Sequence, residues 1–397
     1  RYPPADLRAV ALPLPSRIAT ASSRDTVRLA AATRAHRQKL RACCGGGRAR
    51  GEQNAAAATR VTASRRAVGR GGMEHGKGGK DKGSKQRGVP LGFVYVQKAP
   101  TQVICYGDKW LCVEDPSRPV VLVIPGNPGS IEFYSEFMRE IYEAHRGQLL
   151  VWGVSHAGHV APPKSMELPN VEENPTLYSC DGQIGHKLCF IEQFIPSGTP
   201  IVLVGHSIGC HMVLEILKRA PDLNVKKAIL LFPAIESLEE CPRVSIISPL
   251  VTYLRPVTVA TLSAIRVLPR AMQMFLVRLY IFMATSCSSP HTTSLSGATN
   301  YFKPECLMAC FVFTRDIIEN VKERDNDTIA RHLDKLTVYY GRNDHWSPVE
   351  YHDDLRRRFP SADVRLCERG FRHAFVLDKG AEVGRMVSDW IAPLLKS

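Results

Sequence analysis

Between Cys241 and Pro304 the chain has no Asp or Glu, and Arg243, Arg255, Arg266, Arg270, Arg278 and Lys303 are the only fully charged side chains there. Acidic residues are scarce at the start as well. Residues 1–90 hold 20 Lys and Arg against 5 Asp and Glu, and almost no aromatics, whereas the rest of the 397-residue chain is near neutral with 32 basic and 33 acidic side chains. The basic excess therefore belongs to the N-terminal segment. No stripe of interleaved Arg and aromatic residues follows it, so no nucleic-acid partner is expected. None of the 12 cysteines is spaced as a CxxC pair, which leaves no expected metal site and no expected cofactor. No secretory signal peptide is legible, so reduced cysteines in a cytosol-facing protein are expected.

Residues 1–90 are rich in Ala, Arg, Gly and Ser and have too little apolar surface to offset the entropy of ordering. They read as a disordered basic extension. An Arg-rich, acid-poor N-terminus also fits an organellar transit peptide, but the first methionine is Met73, and the preferred expectation is an upstream extension over residues 1–72.

From Leu91 onward, short runs rich in Val, Ile and Leu alternate with segments of helical period, the pattern of a mostly parallel sheet with helices on both faces. Strands are expected at Phe93–Gln97, Val103–Tyr106, Trp110–Val113, Val120–Ile124, Leu149–Val154, Ile201–Val204, Lys227–Phe232, Leu336–Tyr340 and Val364–Cys367. Helices are expected at Ser130–Ala144, Gly182–Phe194, Ile208–Arg219, Arg315–Leu333, Pro348–Arg358 and Gly380–Leu395. One α/β domain over residues 91–397 follows, interrupted by the acid-free insert 241–304. The insert's apolar pieces, such as Val244–Leu254 and Leu279–Ala284, are cut by Pro249, Pro256, Pro269 and the arginines, so none approaches the roughly 20 apolar residues that span a bilayer. Apolar surface with only positive charge suits an element lying in a lipid interface, where guanidinium groups meet phosphates. A buried cap over the site is the competing reading, and the two can coexist.

Gly205-His206-Ser207-Ile208-Gly209 lies between an expected strand and an expected helix. A GxSxG pentapeptide in that setting forms a tight turn that exposes the serine hydroxyl, with glycines where flanking side chains would collide. Such a nucleophile needs a base to take its proton and an acid to orient the base. Asp344 follows the strand ending at Tyr340, and His373 follows the last strand, so Ser207, Asp344 and His373 run in the chain order of α/β-hydrolases. His345 is a rival base and Glu236, after the strand ending at Phe232, a rival acid. The oxyanion needs two donors, one being the Ile208 N–H. The second is expected from Pro125-Gly126-Asn127-Pro128-Gly129, where Pro128 has no N–H and Asn127 is the candidate, by its backbone and also its side chain.

Pro125–Gly129, Val154-Ser155-His156-Ala157-Gly158-His159, Gly205–Gly209, Tyr339-Tyr340-Gly341 and His373-Ala374-Phe375 together resemble the lipid droplet-associated hydrolase family over about Leu91 to Leu394. The resemblance implies a serine hydrolase at the lipid droplet surface and the endoplasmic reticulum that acts on neutral lipid esters, cholesteryl esters among them, and serves cholesterol mobilisation. It maps nucleophile, acid and base onto Ser207, Asp344 and His373. The alternative is a droplet-surface scaffold with little turnover, because a fold and a site do not by themselves make an efficient enzyme.

Overall fold

The computed structural model describes residues 89–107, 109–245, 248–249 and 253–395; apart from Val89 and Pro90, the N-terminal extension lies outside the described residues. Eight strands form one sheet: β1 (Leu91–Val96), β2 (Ala99–Tyr106), β3 (Val120–Ile124), β4 (Leu150–Val154), β5 (Ile201–His206), β6 (Val225–Leu231), β7 (Leu336–Gly341) and β8 (Asp363–Cys367). Their order is β1-β2-β4-β3-β5-β6-β7-β8. β1 and β2 form an antiparallel hairpin and β2 pairs antiparallel with β4, while every later pairing is parallel. This is the α/β-hydrolase fold, as the sequence pattern implied.

The middle strands are apolar at successive positions because both faces are covered. Val121, Val123, Val202, Val204, Ile229 and Leu231 join one cluster with Phe137 and Ile141 of α1 (Ser135–Ala144) and with Val383 and Val387 of α10 (Gly380–Ile391). Their alternate neighbours Leu122, Leu203 and Leu230 are also buried and face the other way. There α3 (Ile208–Arg219) runs along β5 and β6, with α2 (Cys180–Phe194) beside it.

Two expected elements differ. Trp110–Val113 is not a strand: Leu111 turns the chain with a φ of 45°, and both edges of β2 are already taken by β1 and β4. The expected helix Arg315–Leu333 is two helices, α7 (Pro304–Asn320) and α8 (Asn326–Arg331). Between them the Val321 and Lys322 carbonyls accept from the Leu238 and Ser237 N–H groups, which breaks the helical ladder. Asp325 then starts α8 afresh, its side chain accepting from the Thr328 N–H.

The acid-free insert runs between β6 and β7 and contains α4 (Arg255–Arg266), α5 (Arg270–Thr285) and α6 (Thr292–Ala298), followed by α7. Two of its prolines begin helices rather than breaking them: Pro256 lies in the first turn of α4 and Pro269 caps α5. α9 (Val349–Arg358) follows β7. No helix among the described residues is long and apolar enough to cross a membrane.

His156, His159, His186 and His206 are all buried around the C-terminal edge of the sheet. Burial holds His156, His186 and His206 well below the ordinary imidazole range and brings His159 down to about 3, so all four are neutral in the fold. In the unfolded chain each takes a proton below pH ~6.5. The unfolded state then binds more protons than the folded one, and stability falls with pH by up to about 1.4 kcal/mol per unit per histidine. Urea titrations should therefore show a loss on the order of 5 kcal/mol between pH 7 and pH 5.5; stability that is flat or rising toward pH 5.5 contradicts neutral burial.

Candidate active site

Ser207 sits in the turn between β5 and α3 with φ 55° and ψ −124°, a backbone region that costs a non-glycine residue about 1–3 kcal/mol. The glycines around it are required by contact. A Cβ on Gly209 would stand 2.4 Å from the Ile124 carbonyl oxygen, and one on Gly205 would stand 2.6 Å from the Gly209 carbonyl oxygen. Ser207 is anchored on both sides, its N–H donating to the Leu231 carbonyl at 3.0 Å and its own carbonyl accepting from Cys210 and Ala234.

The loops after β7 and β8 bring the other two candidates to this turn. His373 Nε2 lies 2.9 Å from Ser207 Oγ, and its Nδ1 lies 2.7 Å from Asp344 Oδ2. The second oxygen of Asp344 accepts from the backbone N–H groups of Trp346 at 2.8 Å and Ser347 at 3.3 Å, which fixes a buried carboxylate facing the imidazole. Three residues 137 and 29 positions apart thus form one hydrogen-bonded line. The rivals lie elsewhere: Glu236 is gripped by Arg324 through both carboxylate oxygens, at 2.9 and 3.2 Å, and His345 is exposed.

The loop after β3 passes against the serine, with a Cβ on Gly126 only 2.9 Å from Ser207 Cβ. Several of its N–H groups are committed. Gly126 donates to the Tyr134 hydroxyl at 2.8 Å, Gly129 to His159 Nδ1 at 3.0 Å, and Ile131 to Ser155 Oγ at 3.0 Å. Among the described residues, neither the Asn127 nor the Ile208 N–H donates to another protein group. The Asn127 side chain is held against α7: Nδ2 donates one of its two protons to Thr314 Oγ1 at 2.8 Å and Oδ1 accepts from Cys310 Sγ at 3.4 Å.

The segment Ser155–His159 has a structural job that its sequence alone did not reveal. Besides the bonds to Gly129 and Ile131, the His156 N–H donates to the Gly129 carbonyl at 2.9 Å, so this segment straps the loop after β3 in place. The missed signal is topological, since loops after adjacent parallel strands, here β3 and β4, must be neighbours. The insert and the helix that follows it reach the site from two sides. α7 holds Asn127, and the His291 N–H and Ser294 hydroxyl bond the carbonyls of Leu377 and Val376, just after His373. Among the described residues no group of His, Cys, Asp and Glu is arranged to hold a metal ion.

A laboratory-evolved variant of potato epoxide hydrolase superimposes with a TM-score of 0.56 at 15% identity, covering 77% of this chain and 100% of that one, a likeness of fold alone. Among curated proteins, the lipid droplet-associated hydrolase of Gallus gallus is 36% identical over 312 residues, 76% of this chain and 95% of that protein. That of Homo sapiens is 37% identical over 311 residues, 75% of this chain and 93% of that protein. Residues 117–376 match the lipid-droplet associated hydrolase family, and the chain belongs to it.

Proposed function

We propose that this protein is a serine ester hydrolase of neutral lipids, with cholesteryl esters as its expected substrates, working from the cytosolic side at the surface of lipid droplets and the endoplasmic reticulum. The continuous hydrogen-bond line from Ser207 Oγ through the His373 imidazole to Asp344 carries this reading. His373 Nε2 takes the hydroxyl proton as Ser207 Oγ attacks the ester carbonyl, and Asp344 stabilises the imidazolium through Nδ1–H. The N–H groups of Ile208 and Asn127 receive the oxyanion. Each such donor contributes about 2.7–4 kcal/mol in the transition state. Collapse expels the alcohol, protonated by His373. A water deprotonated by the same imidazole then cleaves the acyl-enzyme and releases the acid, so a sterol ester would yield free sterol for mobilisation.

The name of the curated relatives supplies the setting, and the surface of the insert is consistent with it. α5 is apolar on two faces. Met274, Val277 and Ile281 pack inward, whereas Phe275 and Met283 are 62% and 68% exposed, and Val267, before α5, is 82% exposed. Exposed apolar residues so concentrated mark an interaction surface, and Arg266, Arg270 and Arg278 stand exposed among them, where they can meet lipid phosphates. Each adds up to about 1 kcal/mol at an anionic surface.

A fluorophosphonate probe is expected to label the wild-type protein at Ser207, and the Ser207→Ala variant is expected to lose both the label and fatty-acid release from emulsified cholesteryl oleate. Release that persists in Ser207→Ala refutes the nucleophile. An unlabelled, inactive wild type that still coats droplets favours the scaffold. For the surface, Phe275→Asp with Met283→Asp removes about 3 kcal/mol of apolar burial, so flotation with triolein emulsions coated in anionic phospholipid should fall about 100-fold while Ser207 labelling persists. Unchanged flotation would rule out the insert as the docking face.

A further inference from the structure

Two buried side chains that take no part in the proposed reaction connect the oxyanion loop to the base. Tyr134 closes the short turn Ile131–Tyr134 after the β3 loop, and its hydroxyl lies 2.8 Å from the Gly126 nitrogen and 2.6 Å from His206 Nδ1. His206 ends β5 immediately before the serine, and its other nitrogen, Nε2, lies 2.9 Å from the carbonyl oxygen of His373. Both side chains are buried, Tyr134 at 2% exposure and His206 at 6%. The His206 ring is enclosed by Tyr134, Phe232, His373 and Phe375, with ring centroids 5.1–6.2 Å away.

For a neutral His206 ring, three contacts in series admit one arrangement of protons. A backbone N–H only donates, so Gly126 donates to the tyrosine oxygen. A carbonyl only accepts, so His206 must carry its proton on Nε2 to meet His373. The lone pair is then on Nδ1, where it accepts the Tyr134 O–H. This requires a neutral imidazole, and burial, with the nearby His373 adding to it, holds His206 well below its ordinary range.

We propose that Tyr134 and His206 are positioning residues for ester hydrolysis: the chain Gly126 N–H to Tyr134 O–H to His206 to the His373 carbonyl locks the oxyanion loop and the base loop in register around Ser207. The proposal rests on Ser207, His373 and Asp344 acting as nucleophile, base and acid. Two consequences follow from the bonding. The Gly126 N–H is withdrawn from the oxyanion, which leaves Asn127 as the donor in that loop. The His373 backbone is held by His206 while its ring is held by Asp344, so the imidazole is fixed at both ends. Tyr134→Phe cuts the chain at its middle, freeing Gly126 and His206 Nδ1 together.

The test measures inactivation of the full chain by a fluorophosphonate, which uses the same base and oxyanion hole whatever the natural ester. Tyr134→Phe and His206→Leu are expected to lower the maximal inactivation rate by about 10–100-fold, the effect of misplacing reacting groups by a fraction of an ångström to an ångström, with the half-saturating probe concentration unchanged and a cooperative urea transition retained. His206→Gln, whose amide offers an acceptor and a donor, is expected to recover the rate to within about five-fold of wild type. Histidine nitrogen NMR on the wild type should give His206 as the neutral Nε2–H tautomer from pH 5 to pH 8. Wild-type inactivation rates in both Tyr134→Phe and His206→Leu, or an Nδ1–H or doubly protonated His206, overturn the proposal. Absence of wild-type labelling at Ser207 overturns the hydrolase reading instead, and the NMR tautomer still decides the hydrogen-bond chain by itself.

Discussion

The site depends on a backbone contact that only glycine permits, the packing of the turn after β5 against the end of β3. Gly209 lies so near the carbonyl of Ile124 that any Cβ would overlap it, and Gly126 in turn lies against Ser207. That approach forces Ser207 into the left-handed half of φ space, where its hydroxyl leaves the sheet and meets the loops after β7 and β8. Because β5, β6, β7 and β8 are parallel, their C-terminal ends share one edge, and His373 and Asp344 need only short loops to reach the serine. The strain of the elbow is held by three backbone bonds, to Leu231, Cys210 and Ala234.

Much of this was legible in the sequence, for a physical reason. Val120–Ile124 and Ile201–Val204 are apolar at every position, which only a strand covered on both faces requires, and Gly205 and Gly209 flank a serine where such a strand ends. The chain order of Ser207, Asp344 and His373 then follows from the winding of the sheet. What was not legible depends on partners distant in sequence. Nothing in Arg315–Leu333 shows that the carbonyls of Val321 and Lys322 will be taken by Leu238 and Ser237, although the run Asp325-Asn326-Asp327-Thr328 carries a helix-start signal. Likewise Trp110–Val113 has strand composition but no free sheet edge to join. Nor does the sequence show that Thr314 and Cys310, nearly two hundred residues later, hold the Asn127 side chain.

The insert is where composition and packing converge. An acid-free, proline-punctuated sequence folds into helices that are apolar on both their inner and outer faces, so burial against the hydrolase body uses only part of the apolar surface. The same insert is bonded to the machinery: α4 packs on α7 through Val259, Leu262, Leu307 and Phe311, α7 holds Asn127, and His291 and Ser294 hold the chain just after His373. The proposed docking face and the proposed oxyanion loop are therefore parts of one packed unit.

The central claim is that Ser207 is the attacking atom and that the N–H groups of Asn127 and Ile208 receive the charge it creates. A crystal structure of the protein after reaction with a fluorophosphonate tests it most directly, because the adduct holds a tetrahedral centre with an oxygen in the oxyanion position. The account predicts phosphorus bonded to Ser207 Oγ and that oxygen about 2.7–3.1 Å from both nitrogens. Phosphorus on another residue, or an oxygen turned to solvent away from both N–H groups, would contradict it.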